Sequence, residues 1–150
     1  MSPFDWRSVL LARHAQHVVL IHFPIALFMI GVLFDLLALW WRRDEFAPVA
    51  YYNFFGAAVF TVPTILTGLI AWQWALEGQR LKGTLLLHLL CGLAASTVIL
   101  TVWMLERYAR QGNVSRTVHL CKFALEFLGV GLLGLTGHLG GFLSGVNGGS

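Results

Sequence analysis

Four apolar stretches, Val18–Trp41, Ala50–Trp74, Thr84–Leu105 and Leu120–Leu143, dominate the chain. Each exceeds the ~20 residues that a helix rising ~1.5 Å per residue needs to cross ~30 Å of hydrocarbon. Only 11% of the 150 residues are charged, against roughly 25% in a soluble domain. Lipid leaves backbone polar groups without partners, so apolar stretches of this length must satisfy them internally as helices. The sequence therefore predicts an all-α fold, a four-helix transmembrane bundle that forms a single integral membrane domain over residues 1–150. Residues 1–16 carry Phe4, Trp6, Val9 and Leu10 beside Arg7 and Arg13, without a small-residue cleavage site. They read as a short interfacial helix rather than a signal peptide, and the first crossing doubles as the targeting signal.

Charge and cysteine usage narrow the partners. The net charge of +3 comes from basic residues near helix ends, where membrane lipid, and anionic lipid in particular, is the expected partner and nucleic acid is not. Cys91 and Cys121 fall near opposite faces and do not pair, and without Cys-x-x-Cys-His covalent haem attachment is excluded. For orientation, Arg7, Arg13, Arg80 and Lys82 share the side of the termini, whereas Arg42, Arg43, Arg107, Arg110, Arg116 and Lys122 share the other. By the positive-inside rule the termini face away from the cytoplasm. Trp40, Trp41, Tyr51, Tyr52, Trp72, Trp74 and Tyr108 mark the helix ends as an aromatic belt.

The histidines then take on a pattern. His22, His88 and His138 each lie about five residues, or ~7–8 Å, inside one face. His14 and His17 stand just outside that face, and His119 alone lies at the opposite end. Polar groups in hydrocarbon are costly and usually functional, and imidazole is the commonest ligand of haem iron, copper and zinc. Hydrogen bonding to a neighbouring helix is the plain alternative. Gly134, Gly137, Gly140 and Gly141 strip side chains from the helix around His138, so a porphyrin or another helix approaches its backbone closely. Pro24 releases the carbonyl of Leu20 beside His22, and Thr61, Thr64 and Thr67 give the second helix a small polar face.

Two carboxylates lie within the spans and each requires a partner or neutrality. Thirteen residues at ~100° put Asp35 about 220° from His22, away from that site. Lys122, four residues before Glu126, is that acid's nearest sequence partner, and a structural ion pair is the expectation.

The run Arg13-His14-Ala15-Gln16-His17-Val18-Val19-Leu20-Ile21-His22-Phe23-Pro24-Ile25-Ala26-Leu27, then Asp35-Leu36-Leu37, Thr67-Gly68-Leu69, His88 and Thr136-Gly137-His138-Leu139-Gly140-Gly141, resembles the bacterial domain-of-unknown-function family two-two-three-one over nearly the whole chain. In that family the first segment tends to read His-Pro-x-His-Pro-x-x-Val-His-Phe-Pro. Histidines 14, 17 and 22 keep the spacing without the first two prolines, and Ala71-Trp72 stands where the family often has an acid before tryptophan. The resemblance implies a four-helix membrane subunit similar in layout to the b-type cytochromes. The resulting expectation is an electron-transfer subunit of a larger redox complex with one non-covalent haem b. Two of His22, His88 and His138 ligate the iron, Gly137 and Gly141 make room for the ring, and His14 and His17 stand by as further ligands. The expected partners are other redox subunits or a donor such as a cytochrome c, and bond-making catalysis is not expected. The alternatives are a copper or zinc site on the same three histidines and a cofactor-free accessory subunit.

Overall fold

The computed structural model describes residues 13–75, 78–112 and 114–144. Four helices make up most of them: α1 (Arg13–Trp41), α2 (Phe46–Ala75), α3 (Gly83–Ala109) and α4 (Arg116–Leu143). All four contain spans long and apolar enough to cross a membrane. The helices overrun the apolar stretches by one to five residues at most ends, because intrahelical hydrogen bonding continues into the interface after the sequence turns polar. The expected interfacial helix over residues 1–16 lies outside the described residues except for its last four, which are continuous with α1.

Short connections make successive helices antiparallel. The turn after α1 starts with Arg42 in the left-handed region (φ 53°) and carries an exposed Arg43–Glu45 ion pair at 3.0 Å. Packing is densest within two hairpins, α1–α2 and α3–α4, weaker between α2 and α3, and sparse between α1 and α4. At the centre, Phe28, Phe54, Ile99 and Val102 are almost fully buried among Ala50, Ala57, Ala58 and Ala95. Small residues let the backbones approach without a water-driven hydrophobic effect. Gly31 and Gly129 show why: a Cβ on either would come within 2.7 Å of the Phe54 or Phe28 ring. Most of each helix faces outward, Trp40, Trp41, Tyr52, Trp74 and Tyr108 at the ends included, as a lipid-solvated bundle requires.

Proline chemistry shapes one end of this core. Pro24 cannot donate to the carbonyl of Leu20, and Thr64 of α2 supplies a long hydrogen bond of 3.4 Å to that oxygen while also donating to Phe60 O at 2.8 Å. Beside it lies a partly open cavity of about 60 Å³, bordered by Pro24, Thr61, Thr64, Gly92, Ser96 and Thr136 from all four helices. The hydroxyls of Thr61, Ser96 and Thr136 donate to carbonyls of their own helices, so the cavity wall is largely apolar.

Candidate functional site: a buried charge cluster and a separate set of histidines

The core faces of three helices each carry charge. On α3 the buried positions are Ala95, Val98, Ile99, Val102 and Glu106, and on α4 they are Lys122, Glu126, Gly129 and Leu133. Steps of three and four residues keep one face inward, and the same spacing on α1 runs from Phe28 through Val32 to the buried Asp35. The charged side chains therefore meet at the end of the bundle formed by loops 42–45 and 110–115. Lys122 Nζ donates to Asp35 Oδ2 and to Glu106 Oε2, each at 2.7 Å, and stands 3.4 Å from Glu126 Oε1. Charge-assisted hydrogen bonds of this length are the strong kind. The rings of Phe123 and Phe54 lie 5.2 and 6.0 Å from the ammonium.

The expected Lys122–Glu126 ion pair is present, but as one part of a larger cluster. Glu126 is only the most distant of the three acids around Lys122, whose closest partners come from α1 and α3. Glu126 is 0% exposed, and neither of its oxygens takes a hydrogen bond from a described residue. Three carboxylates face one ammonium, and α2, packed against them, contains no acidic or basic residue.

The histidines lie toward the other end. Counted along the helices at ~1.5 Å per residue, His22 is about 20 Å from the level of Asp35, His138 about 24 Å from Lys122 and His88 about 27 Å from Glu106. The structure does not turn all three inward. His22 and His138 are exposed, as are Ala26 and Met29 on the same face of α1 as His22, whereas His88 is half-buried. His22 Nδ1 lies 2.6 Å from Val18 O in its own helix, and His88 Nδ1 lies 3.1 Å from Thr136 O across the α3–α4 seam. The His88 ring comes close to Gly140, where a Cβ would meet it at 3.2 Å. The His138 ring packs edge-on against Phe142, centroids 4.9 Å apart. Gly137 looks onto open space, Gly141 is half-buried and His119 is exposed at the far end. His17 reaches α2, its Nδ1 3.3 Å from Thr67 Oγ1, and packs over Gly68, where a Cβ would meet its ring at 2.9 Å. The backbone of His14 lies in the first turn of α1.

Among the described residues, no three histidine, cysteine, aspartate or glutamate side chains form a group able to hold a bare metal ion. None of the three deep histidines borders the 60 Å³ cavity, which is also far below the ~300–1,000 Å³ typical of a pocket for a large ligand. Because His22 and His138 are exposed, a broad ligand on either would lie against the outside of the bundle. The arrangement can still offer ligands. A carbonyl only accepts, so each hydrogen bond from Nδ1 to a carbonyl makes Nδ1 the N–H and leaves the Nε2 lone pair of the neutral ring available.

Glu106 was missed because it lies one residue beyond the expected third span. Its spacing of four from Val102 and seven from Ile99 was the available signal.

Comparison with curated proteins and with solved structures finds no match to this chain. The pattern defining the predicted membrane proteins of DUF2231, domain-of-unknown-function family two-two-three-one, matches residues 13–148, and the chain belongs to that family.

Proposed function

We propose that this multi-pass membrane protein is an electron-transfer subunit of a larger redox assembly. In this reading Nε2 of His22 and of His88 would hold the iron of one non-covalent b haem toward the outer side of the histidine end, with His138 as the third candidate. The observation that carries the reading is the hydrogen bond from Nδ1 of both rings to a main-chain carbonyl. A ligating histidine almost always directs its second nitrogen to such a partner, which fixes the tautomer and the ring plane. His22 also presents imidazole on the surface of a membrane span, where a polar group is costly unless something engages it.

The haem would supply one-electron chemistry, and two imidazole ligands would leave the iron no open position. The chain's own contribution is to hold two rings in fixed tautomers and to leave room beside them. Gly131, Gly134 and Gly137 give α4 an outward strip where a Cβ would meet nothing within 4 Å. Donor and acceptor come from partner subunits or a cytochrome c. The same reading sets the termini on the non-cytoplasmic side of a bacterial inner membrane. Withdrawal of Lys122 into the bundle leaves five loop charges against four, and a topology reporter fused at Ser150 checks the orientation.

The deciding measurement is the reduced-minus-oxidised visible spectrum of the purified protein, with metal analysis alongside. A haem spectrum in wild type that is lost in H22A and in H88A is the expected result. Stoichiometric copper or zinc without porphyrin transfers the site to the metal alternative, and absence of both leaves an accessory subunit.

A further inference from the structure

We propose that Glu126 is a proton-binding site: a carboxylic acid held inside the bundle that exchanges its proton with the face formed by loops 42–45 and 110–115. The inference is independent of any haem, since it concerns the opposite end of the molecule.

Charge and contact both lead to it. Lys122 contacts Glu126 from its own helix and gathers Asp35 of α1 and Glu106 of α3 around it, and α2 adds no acidic or basic residue. Asp35 and Glu106 take the two short hydrogen bonds of the ammonium and already outnumber it. A third carboxylate would leave the buried set with two uncompensated negative charges, and an unpaired buried charge neutralises rather than persists. Among the three acids Glu126 is the one suited to hold the proton, because it is fully buried and neither of its oxygens receives a hydrogen bond from a described residue. A metal cation fits worse than a proton, since the Lys122 ammonium stands 3.4 Å from Glu126 Oε1 and would repel it.

The direction of exchange follows from what lies on either side. Toward the loops, Lys122 links Glu126 to Glu106, which is three residues from the end of α3. In the other direction the next level of the core is apolar: Phe28 packs onto Gly129, with Val98 beside them. The step is simple in atoms. The O–H bond of Glu126 breaks, the proton passes to water at the loop end, and the reverse restores the acid.

A hydrophobic carbodiimide reads this state directly. The O–H of a protonated carboxyl adds across a carbodiimide C=N bond, and the resulting O-acylisourea rearranges to a stable N-acylurea, with no other reactant and no leaving group. The full chain in lipid nanodiscs is treated with dicyclohexylcarbodiimide and its peptides are analysed by mass spectrometry. The expected result is one adduct, on Glu126, whose yield falls as pH rises and which is absent from E126Q. Infrared spectra of untreated protein provide a second readout: a carboxylic-acid carbonyl band, shifted by deuterium exchange and missing in E126Q. Labelling of Asp35 or Glu106 in place of Glu126, pH-independent labelling, or wild-type protein with no carboxylic-acid band would each overturn the proposal. Should E126Q fail to fold, the wild-type adduct position and its pH dependence decide alone.

Discussion

The two ends of the bundle handle buried polarity in opposite ways. At the loop 42–45 and 110–115 end, one ammonium ties helices of different hairpins together, since Lys122 on α4 bonds to Asp35 on α1 as well as to Glu106 on α3. At the histidine end, the bonds from His17 to Thr67 and from Thr64 to Leu20 run within the α1–α2 hairpin, and that between His88 and Thr136 runs within α3–α4. The thinly packed α1–α4 seam is therefore clamped by charge at one end, while the cavity lies toward the other. Charge holds one end together, and a bundle clamped at one end can loosen at the other without coming apart.

The sharpest way to break this contrast is Lys122→Met. It leaves Asp35, Glu106 and Glu126 buried without their cation, and removing one partner of a buried ionic set costs about 3–5 kcal/mol. The expected outcome is a large fall in thermal stability in detergent, followed by circular dichroism, or failure to assemble. Adding D35N and E106Q to K122M removes the stranded charges and is expected to recover most of the loss. A single variant as stable as wild type would mean that the clamp is not holding the hairpins together.

Much of this organisation was legible in the sequence, and its failures have physical causes. Apolar length placed the four crossings, because hydrocarbon thickness leaves little freedom. Helical arithmetic set Asp35 on a different face from His22, and the structure buries one and exposes the other. The role of Pro24 was also readable up to the freed Leu20 carbonyl, but its acceptance of Thr64 depends on how α2 sits. The cluster was legible only as its weakest contact, Lys122 with Glu126, since an i,i+4 pair is set by one helix alone. Contact with Asp35, 87 residues away, depends on which faces two helices turn to each other. Depth likewise placed the histidines at one end but said nothing about which way the side chains turn.

A smaller effect separates the two kinds of glycine on α4. An Ala at 129 would place its Cβ 2.7 Å from the buried Phe28 ring and 3.1 Å from Val98, and overpacking of this sort costs about 1–3 kcal/mol. At 134 a Cβ meets nothing within 4 Å, so G134A is expected to gain up to about 1 kcal/mol from helix propensity. Opposite signs in the two unfolding curves would sharpen the view that α4 is packed at the clamp and open toward the histidines. Equal destabilisation would show that a partner already fills the outward strip.

Below that comes His88→Ala, which removes one interhelical hydrogen bond to Thr136 O, an interaction with a net value of about 1 kcal/mol, and leaves a void over Gly140. A modest drop in melting temperature is expected from this role alone. Loss of the haem spectrum out of proportion to that drop marks His88 as a ligand, whereas a spectrum that follows stability reduces it to a seam contact.

The smallest effect is expected at His119, and its smallness is informative. It is exposed on the first turn of α4, at the clamped end and on the far side of the membrane from the other five histidines. Its neighbour in the core pattern is Lys122, but burial of Lys122 and exposure of His119 put them on different faces, so His119 lies outside the charge cluster as well as the histidine set. His119→Ala is expected to change stability by less than about 0.5 kcal/mol, as surface substitutions usually do, and to leave the visible spectrum and metal content as in wild type. Both are measured on the same preparation. A variant that keeps its fold but loses cofactor would put a ligand at the clamped end too. The two ends would then no longer divide the work, and a ligand site at each end, as in the two-haem b-type layout, would replace the one-haem reading.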